Sequence, residues 1–235
     1  MAEMSTHNES EIIRLKQAAG DAAVEQLKSG MIVGLGSGST ATLAVNTIGK
    51  RVAEGLRIIG IPTSEKTAAQ ARGLGIPLST LESHPAVDIT IDGADEVDPA
   101  LDLIKGGGGK QLREKIVAAA SARLVIVVDE GKLVPKLGTH WAVPIEVIKF
   151  GWQATAARLR QSGCNPVRRL LPDGEIYITD DGNYILDCQY GPIASPPDLQ
   201  REIDSIVGVV EHGLFIGMAA QVIVAGGDGI KVLNR

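Results

Sequence analysis

The sequence predicts an α/β protein: a parallel sheet covered by helices on both faces, with a smaller α+β module beside it. Three observations predict it. Short apolar runs rich in Val and Ile alternate with helical periodicities through the first half of the chain, as strands buried on both faces require. Beyond Leu137 helices alternate instead with strands that pair antiparallel, the order of a split βαβ unit. Almost every early run ends in polar or glycine-rich residues, as strands do at the ligand-binding edge of an open α/β sheet.

Taken in order, Glu11 to Lys28 reads as an amphipathic helix, with Ile12, Leu15, Ala19, Ala22, Ala23 and Leu27 at helical spacing. A strand at 31–34 leads to a helix at 39–52, and a strand at 57–61 to a helix at 65–74. A strand at 88–91 precedes a helix at 110–122 and a strand at 124–128. In the second part the expected elements are a strand at 143–148 and a helix at 151–162. Strands at 167–171 and 175–179 then pair with 184–188 across the turn Asp180-Asp181-Gly182-Asn183. A helix at 197–207, introduced by Ser195-Pro196-Pro197, and a strand at 209–215 complete the module, and 222–225 is one more buried strand. The domain boundaries that follow are 1–137 with 214–235 for the larger domain and 138–213 for the smaller.

Composition excludes several function classes. The net charge is −5 and only 3% of residues are aromatic. With no basic stripe and few rings for base stacking, nucleic-acid binding is not expected. No apolar run reaches the roughly 20 residues of a membrane span. The polar start MAEMSTHNESE is neither a secretory signal nor an Arg-rich transit peptide. Cys164 and Cys188 fit no zinc spacing and read as reduced thiols. The four histidines (His7, His84, His140, His212) are scattered. A cytoplasmic protein without membrane attachment is the expectation.

The stretch Val87–Lys115 carries the chemistry. A strand runs into an acidic turn (Asp92, Asp95, Glu96), then Lys105 and four glycines, then a helix start bearing Glu114. Asp92 and Asp95, three apart at a strand end, suit proton exchange with sugar hydroxyls or a ring oxygen. They equally suit Mg²⁺, or an Asx-turn and cap. Lys105 beside a glycine run, which marks backbone that must approach something closely, suits stabilisation of a developing oxyanion. On a helix starting near Lys110, Leu112, Ile116, Ala119 and Ala120 form the expected core stripe, so Glu114, about 200° from Leu112, is expected to face away from the core. Alone it reads as a solvated glutamate complementing the helix dipole; beside the other three groups it reads as a base.

Gly36-Ser37-Gly38-Ser39-Thr40 lies between a strand and a helix. Bent backbone, a helix N-terminus and three hydroxyls fit a phosphate cradle, while a tight βα turn with Ser39 as N-cap is the plainer alternative. The spacing Gly36-x-Gly38-x-x-Ala41 also satisfies a dinucleotide fingerprint, but the second strand ends in Pro62-Thr63-Ser64 where a ribose-binding acid is expected.

Together these segments resemble the type A ribose-5-phosphate isomerase family. The resemblance runs through Val33–Thr40, Asp92–Glu96, Lys105–Gly108, Arg113–Lys115, Pro144–Ile148, Asp181–Asp187 and Gly227–Lys231, in order along nearly the whole chain. It implies a Rossmann-like domain with a ferredoxin-like one, a homo-oligomer (dimer or tetramer), and no metal or organic cofactor. It also implies interconversion of ribose 5-phosphate and ribulose 5-phosphate in the non-oxidative pentose phosphate pathway. By position, Glu114 would be the base, with Asp92, Asp95 and Lys105 assisting. Ser37, Gly38, Ser39, Thr40, Asp92, Gly93, Ala94, Asp95, Lys105, Gly106, Gly107, Gly108 and Lys132 would bind the sugar phosphate, and Lys16 is a weaker candidate for phosphate contact. Lys110 and Leu112 depart from the family's small residue and threonine, and Ser37 stands where threonine is frequent. The same architecture resembles that of sugar-phosphate-sensing regulators, coenzyme A transferases and amino-sugar phosphate deaminases. A regulator would have no use for Glu114 and Lys105 beside the acid pair, and nothing here suggests a transferase's nucleotide site.

Overall fold

A computed structural model describes residues 2–235, with side chains from Ser10 onward; Met1 and the side chain of His7 lie outside the described residues. The elements run α1 (Ala2–Val24), β1 (Ile32–Leu35), α2 (Ser39–Ala53), β2 (Ile59–Pro62), α3 (Glu65–Gly73), β3 (Ile89–Asp92), β4 (Glu96–Val97) and β5 (Leu103–Ile104). Next come α4 (Gln111–Ala119), β6 (Leu124–Asp129), β7 (Val143–Val147), α5 (Trp152–Gln161), β8 (Asn165–Arg168) and β9 (Tyr184–Gln189). The chain ends with α6 (Pro196–Asp204), β10 (Val209–His212), β11 (Leu214–Phe215), β12 (Ala219–Gly226) and β13 (Gly229–Asn234).

Two compact units result: Met1–Gly93 with Ile116–Lys132 and Ala219–Arg235, and Ala94–Lys115 with Leu133–Met218. The division differs from the sequence boundaries chiefly over 94–115. The reason is pairing: β4 and β5 form a small sheet with β11 rather than joining the parallel one.

The first unit holds a six-stranded sheet in the order β13-β12-β6-β3-β1-β2, parallel except for β13. Its central strands are wholly buried runs such as Ile89–Asp92 and Leu124–Val128. Leu35, Ile48, Ile91, Val125 and Val127 pack in one core with Ala19, Ala23 and Leu27 of the N-terminal region. Counted along the chain, the parallel strands stand 2-1-3-4-5, so the order reverses between β1 and β3. An open sheet binds its ligand past the carboxyl ends of strands at such a point.

In the second unit β7-α5-β8-β9-α6-β10 builds a four-stranded antiparallel sheet ordered β10-β7-β9-β8, the split βαβ arrangement of a ferredoxin-like fold. Its core gathers Ile145, Leu159, Leu186 and Ile203. The strand expected at 175–179 is not formed. Tyr184–Gln189 pairs instead with β7 and β8, leaving 175–179 with a single bridge, Leu170 to Ile176. The turn chemistry at Asp181-Gly182 is local, while the partner of β9 is set by core packing, which the turn does not report.

Candidate active site

In the first unit the reversal point carries Gly36–Thr40 after β1 and Asp92 at the end of β3. The two approach so closely that a Cβ on Gly36 would lie 2.3 Å from Asp92 Oδ1, so only glycine fits. Asp92 is buried, and its Oδ1 accepts the Ser37 N–H at 3.0 Å and the Gly93 N–H at 2.8 Å. The Ser37 hydroxyl turns to a cluster of Thr63, Ser64 and Thr67 hydroxyls at 2.7–3.1 Å, which locks the loop to the start of α3. Ser39 is not the N-cap. Gly38 is, at φ 100°, and no side chain caps the helix start. Ser39 Oγ accepts instead from Lys16 Nζ at 3.0 Å, which places an ammonium at the positive end of α2, the arrangement that attracts a phosphate. The neighbouring helix α3 caps itself conventionally, with Ser64 Oγ accepting the Thr67 N–H. Thr40 is buried, and Lys132, half-buried, sits in a short turn directly after β6.

The second unit holds the other half of the predicted set. Lys105 and Glu114 are both buried, and Lys105 Nζ lies 3.2 Å from Glu114 Oε2. Glu114 therefore does not face away from the core. The buried residues of α4 are Gln111, Glu114, Val117 and Ala118, whereas Ile116 is half exposed. The stripe expected from hydrophobicity is the wrong face, because two polar side chains, Gln111 and Glu114, share the buried face with Val117 and Ala118, and Glu114 meets Lys105 there. Asp95 Oδ2 accepts the Gly107 N–H at 2.7 Å, and a Cβ at Gly107 would fall 2.7 Å from the Trp141 ring and 2.8 Å from Asp95 Oδ1. Glu96 belongs to the framework: its carboxylate takes the backbone N–H groups of Gly138, His140 and Trp141 at 2.5–2.8 Å.

Of the departures from the family pattern, Lys110 has a structural account of its own, and nothing in the structure explains Leu112. Lys110 Nζ reaches Asp180 Oδ1 at 2.6 Å and sits 5.8 Å from the Tyr177 ring centre. Burial pulls its pKa down, but the Asp180 hydrogen bond and Tyr177 outweigh this and raise it. Arg113 Nη2 reaches Asp181 at 2.9 Å, so two cations of the helix start hold the 179–183 turn. Glu146 anchors that turn from beneath, accepting from Thr179 Oγ1 at 2.8 Å and Asn183 Nδ2 at 2.9 Å; burial pushes its carboxyl up. Arg169 and Tyr177, which touch the glycine run, carry no motif signal and are not found by reading the sequence.

Among the described residues one group of side chains has metal-ligand spacing, Asp204, Glu211 and His212. Lys115 already occupies Glu211 at 2.5 Å. The Leu214 N–H donates to His212 Nδ1 at 3.1 Å, which leaves Nε2 to carry the hydrogen that faces Asp204 Oδ1 at 3.1 Å. The group is internally satisfied. No helix among the described residues is long and apolar enough to cross a membrane.

The family described as ribose 5-phosphate isomerase A (phosphoriboisomerase A) matches residues 59–229. The ribose-5-phosphate isomerase A of Synechococcus sp. (strain JA-3-3Ab) is 55% identical, over 94% of this chain and 97% of its own length. That of Gloeobacter violaceus is 57% identical, covering 94% and 96%. Among solved structures, ribose 5-phosphate isomerase A from Methanocaldococcus jannaschii superposes with a TM-score of 0.90 at 41% identity, over 94% of this chain and 99% of that one. A D-ribose-5-phosphate isomerase in complex with phospho-erythronic acid gives 0.92 at 36% identity, over 95% and 99%. This chain belongs to the ribose 5-phosphate isomerase A family.

Proposed function

We propose that this protein interconverts D-ribose 5-phosphate and D-ribulose 5-phosphate through an enediolate, with Glu114 as the base. The observation that carries the reading is the buried Lys105–Glu114 pair at 3.2 Å on either side of the glycine loop. An aldose–ketose shift needs one base that removes a proton from C2 of the open-chain aldose and returns it to C1, plus electrostatic support for the oxygen that gains charge. Glu114 serves as the base and Lys105 as the support. Asp92 and Asp95, assisted by Lys105, open the furanose ring by exchanging protons with its oxygen and the anomeric hydroxyl.

Ser37, Gly38, Ser39, Thr40 and Lys132 bind the phosphate end, with Lys16 added by its contact to Ser39. Gly93, Ala94 and Gly106 to Gly108 contact the sugar. The relative solved with phospho-erythronic acid supports a phosphorylated ligand. The reaction requires no metal or organic cofactor, belongs to the pentose phosphate pathway, and is carried out by a cytoplasmic homo-oligomer. The test is incubation with ribose 5-phosphate while ketose formation is followed; no ketose refutes the reading. Chelators are expected to leave turnover unchanged. Loss with EDTA, restored by Mg²⁺, would reassign Asp92 and Asp95 as ligands.

A further inference from the structure

Each of the four carbonyls of Gly106–Gly109 meets one of two side chains, Arg169 or Tyr177. Arg169 Nη1 donates to Gly106 O at 2.9 Å and to Gly107 O at 3.0 Å. The Tyr177 hydroxyl donates to Gly108 O at 3.0 Å and reaches Gly109 O at 3.4 Å. The guanidinium is itself set by Asp187, through Nε to Oδ2 at 2.9 Å and Nη2 to Oδ1, and it lies 5.8 Å from the Tyr177 ring centre. Arg169 follows directly on β8 and Asp187 lies within β9, so the clasp stands on the antiparallel sheet.

A trans peptide directs its N–H opposite to its C=O. With the Gly106 carbonyl turned to Arg169, the Gly107 N–H must point the other way, and it does, reaching Asp95 Oδ2 at 2.7 Å. The same rule turns the Gly108 N–H away from Arg169, since the Gly107 carbonyl is also captured. Lys105 precedes this loop and Glu114 follows it within one helical turn of Lys110, whose carbonyl accepts the Glu114 N–H at 3.0 Å. Two of the side chains assigned to the chemistry, Lys105 and Glu114, thus bracket a glycine run held by two side chains from elsewhere, and a third, Asp95, accepts one of its amides.

We propose that Arg169, anchored by Asp187 and assisted by Tyr177, is a positioning residue that aims the amides of the glycine loop and thereby aligns Lys105, Asp95 and Glu114. This rests on the isomerase reading for its kinetic consequence but not for its structural one. A glycine run without the clasp samples many conformations, and small misplacements of reacting groups cost turnover steeply.

The test compares Arg169→Met, Arg169→Ala, Arg169→Lys and Asp187→Asn with the wild type, by steady-state kinetics on ribose 5-phosphate and by amide hydrogen exchange of peptides spanning 105–112. In Arg169→Met, kcat should fall about 10- to 100-fold, with a smaller change in KM and faster exchange confined to the glycine loop. Arg169→Lys, which still donates to carbonyls, should recover part of both, and millimolar guanidinium should partly restore Arg169→Ala. Unchanged kcat in Arg169→Met overturns the proposal, as does a fall in kcat with unaltered loop exchange. If Arg169→Met does not fold, Asp187→Asn carries the same two readouts. An inactive wild type would refute the isomerase reading, while loop exchange would still decide the clasp.

Discussion

Two lysine–glutamate pairs flank one buried phenylalanine in the second unit. Lys105 Nζ lies 5.4 Å and Lys115 Nζ 5.0 Å from the Phe215 ring centre. Lys105 faces Glu114 at 3.2 Å, and Lys115 faces Glu211 at 2.5 Å. Chemically the pairs match, yet they ride on different backbone. Lys115 also donates to the His212 carbonyl at 2.7 Å and lies 3.3 Å from His212 Nδ1, which ties α4 to β10. Burial draws its pKa down in spite of Glu211. Lys105 and Glu114 bracket a glycine loop held from behind by Arg169 and Tyr177. Under the proposed reaction, what sets the Lys105–Glu114 pair apart from the structural one is the glycine-rich chain that connects it and the side chains that hold that chain.

The comparison breaks most directly at the carboxylates. Glu114→Gln should lower kcat at least about a hundredfold, the low end for loss of a general base, while substrate still binds. Glu211→Gln should keep turnover near wild type and lose stability instead. Steady-state kinetics and urea unfolding on both variants decide it. Equal kinetic losses would mean that both pairs serve the reaction and that the distinction drawn here is wrong.

The next test lies in acid. Burial first, and the Lys115 charge second, pull the His212 pKa from 6.5 down to about 3. The unfolded chain therefore binds more protons than the folded one between these values, and stability falls as pH drops through this window. By pH 4 the loss from this one residue is about 3 kcal/mol, at about 1.4 kcal/mol per unit. Asp204, pushed up by burial and by Glu211, acts in the opposite sense, but its side chain is 53% exposed and solvent screens it. His212→Gln should flatten the difference between unfolding free energies at pH 7 and pH 4. An unchanged pH slope would show that His212 is not held neutral.

Much of this was legible in the sequence, and the failures have common causes. The parallel strands β1, β3 and β6 announce themselves because double-sided burial demands unbroken Val and Ile. Strand β13 does not, since most of Gly229–Asn234 is exposed and pairs only at the sheet edge. The family was readable from Asp92–Glu96 and Lys105–Lys115, where unusual residue types cluster. The buried face of α4 was not, because helical periodicity assumes that apolar residues mark the core, and here Gln111 and Glu114 lie inside while Ile116 is half exposed. Arg169 and Tyr177 were invisible for another reason. Their importance comes from which carbonyls they meet, and no local pattern records a contact more than sixty residues away.

Replacing Lys115 sharpens the comparison at smaller scale. Lys115→Met keeps an unbranched stem against Phe215 and removes the charge held by Glu211. It should cost about 1–3 kcal/mol, the range for leaving a partly buried polar partner unmatched, with kcat close to wild type. Lys105→Met, its counterpart across the ring, should lose turnover. Thermal unfolding and kinetics together distinguish them, and a large kcat loss in Lys115→Met would join the two pairs into one functional network.

The smallest effect is expected at Gln111, one turn before Glu114 on the same face of α4. It is fully buried, and neither its amide nitrogen nor its oxygen has a hydrogen-bond partner among the described residues. An unmatched buried amide is a standing cost, and replacing it with an apolar side chain of similar size removes that cost. Gln111→Leu should therefore raise stability by about 1 kcal/mol, seen as a rise of about 2–4 °C in Tm for a chain of this length. Turnover should persist, because Gln111 packs against Gly106 from within the helix and has no part in moving the proton. A fall in Tm would mean that the amide has a partner in solution. A fall in kcat at unchanged Tm would place Gln111 beside Glu114 in the chemistry and enlarge the reactive side of the Phe215 divide.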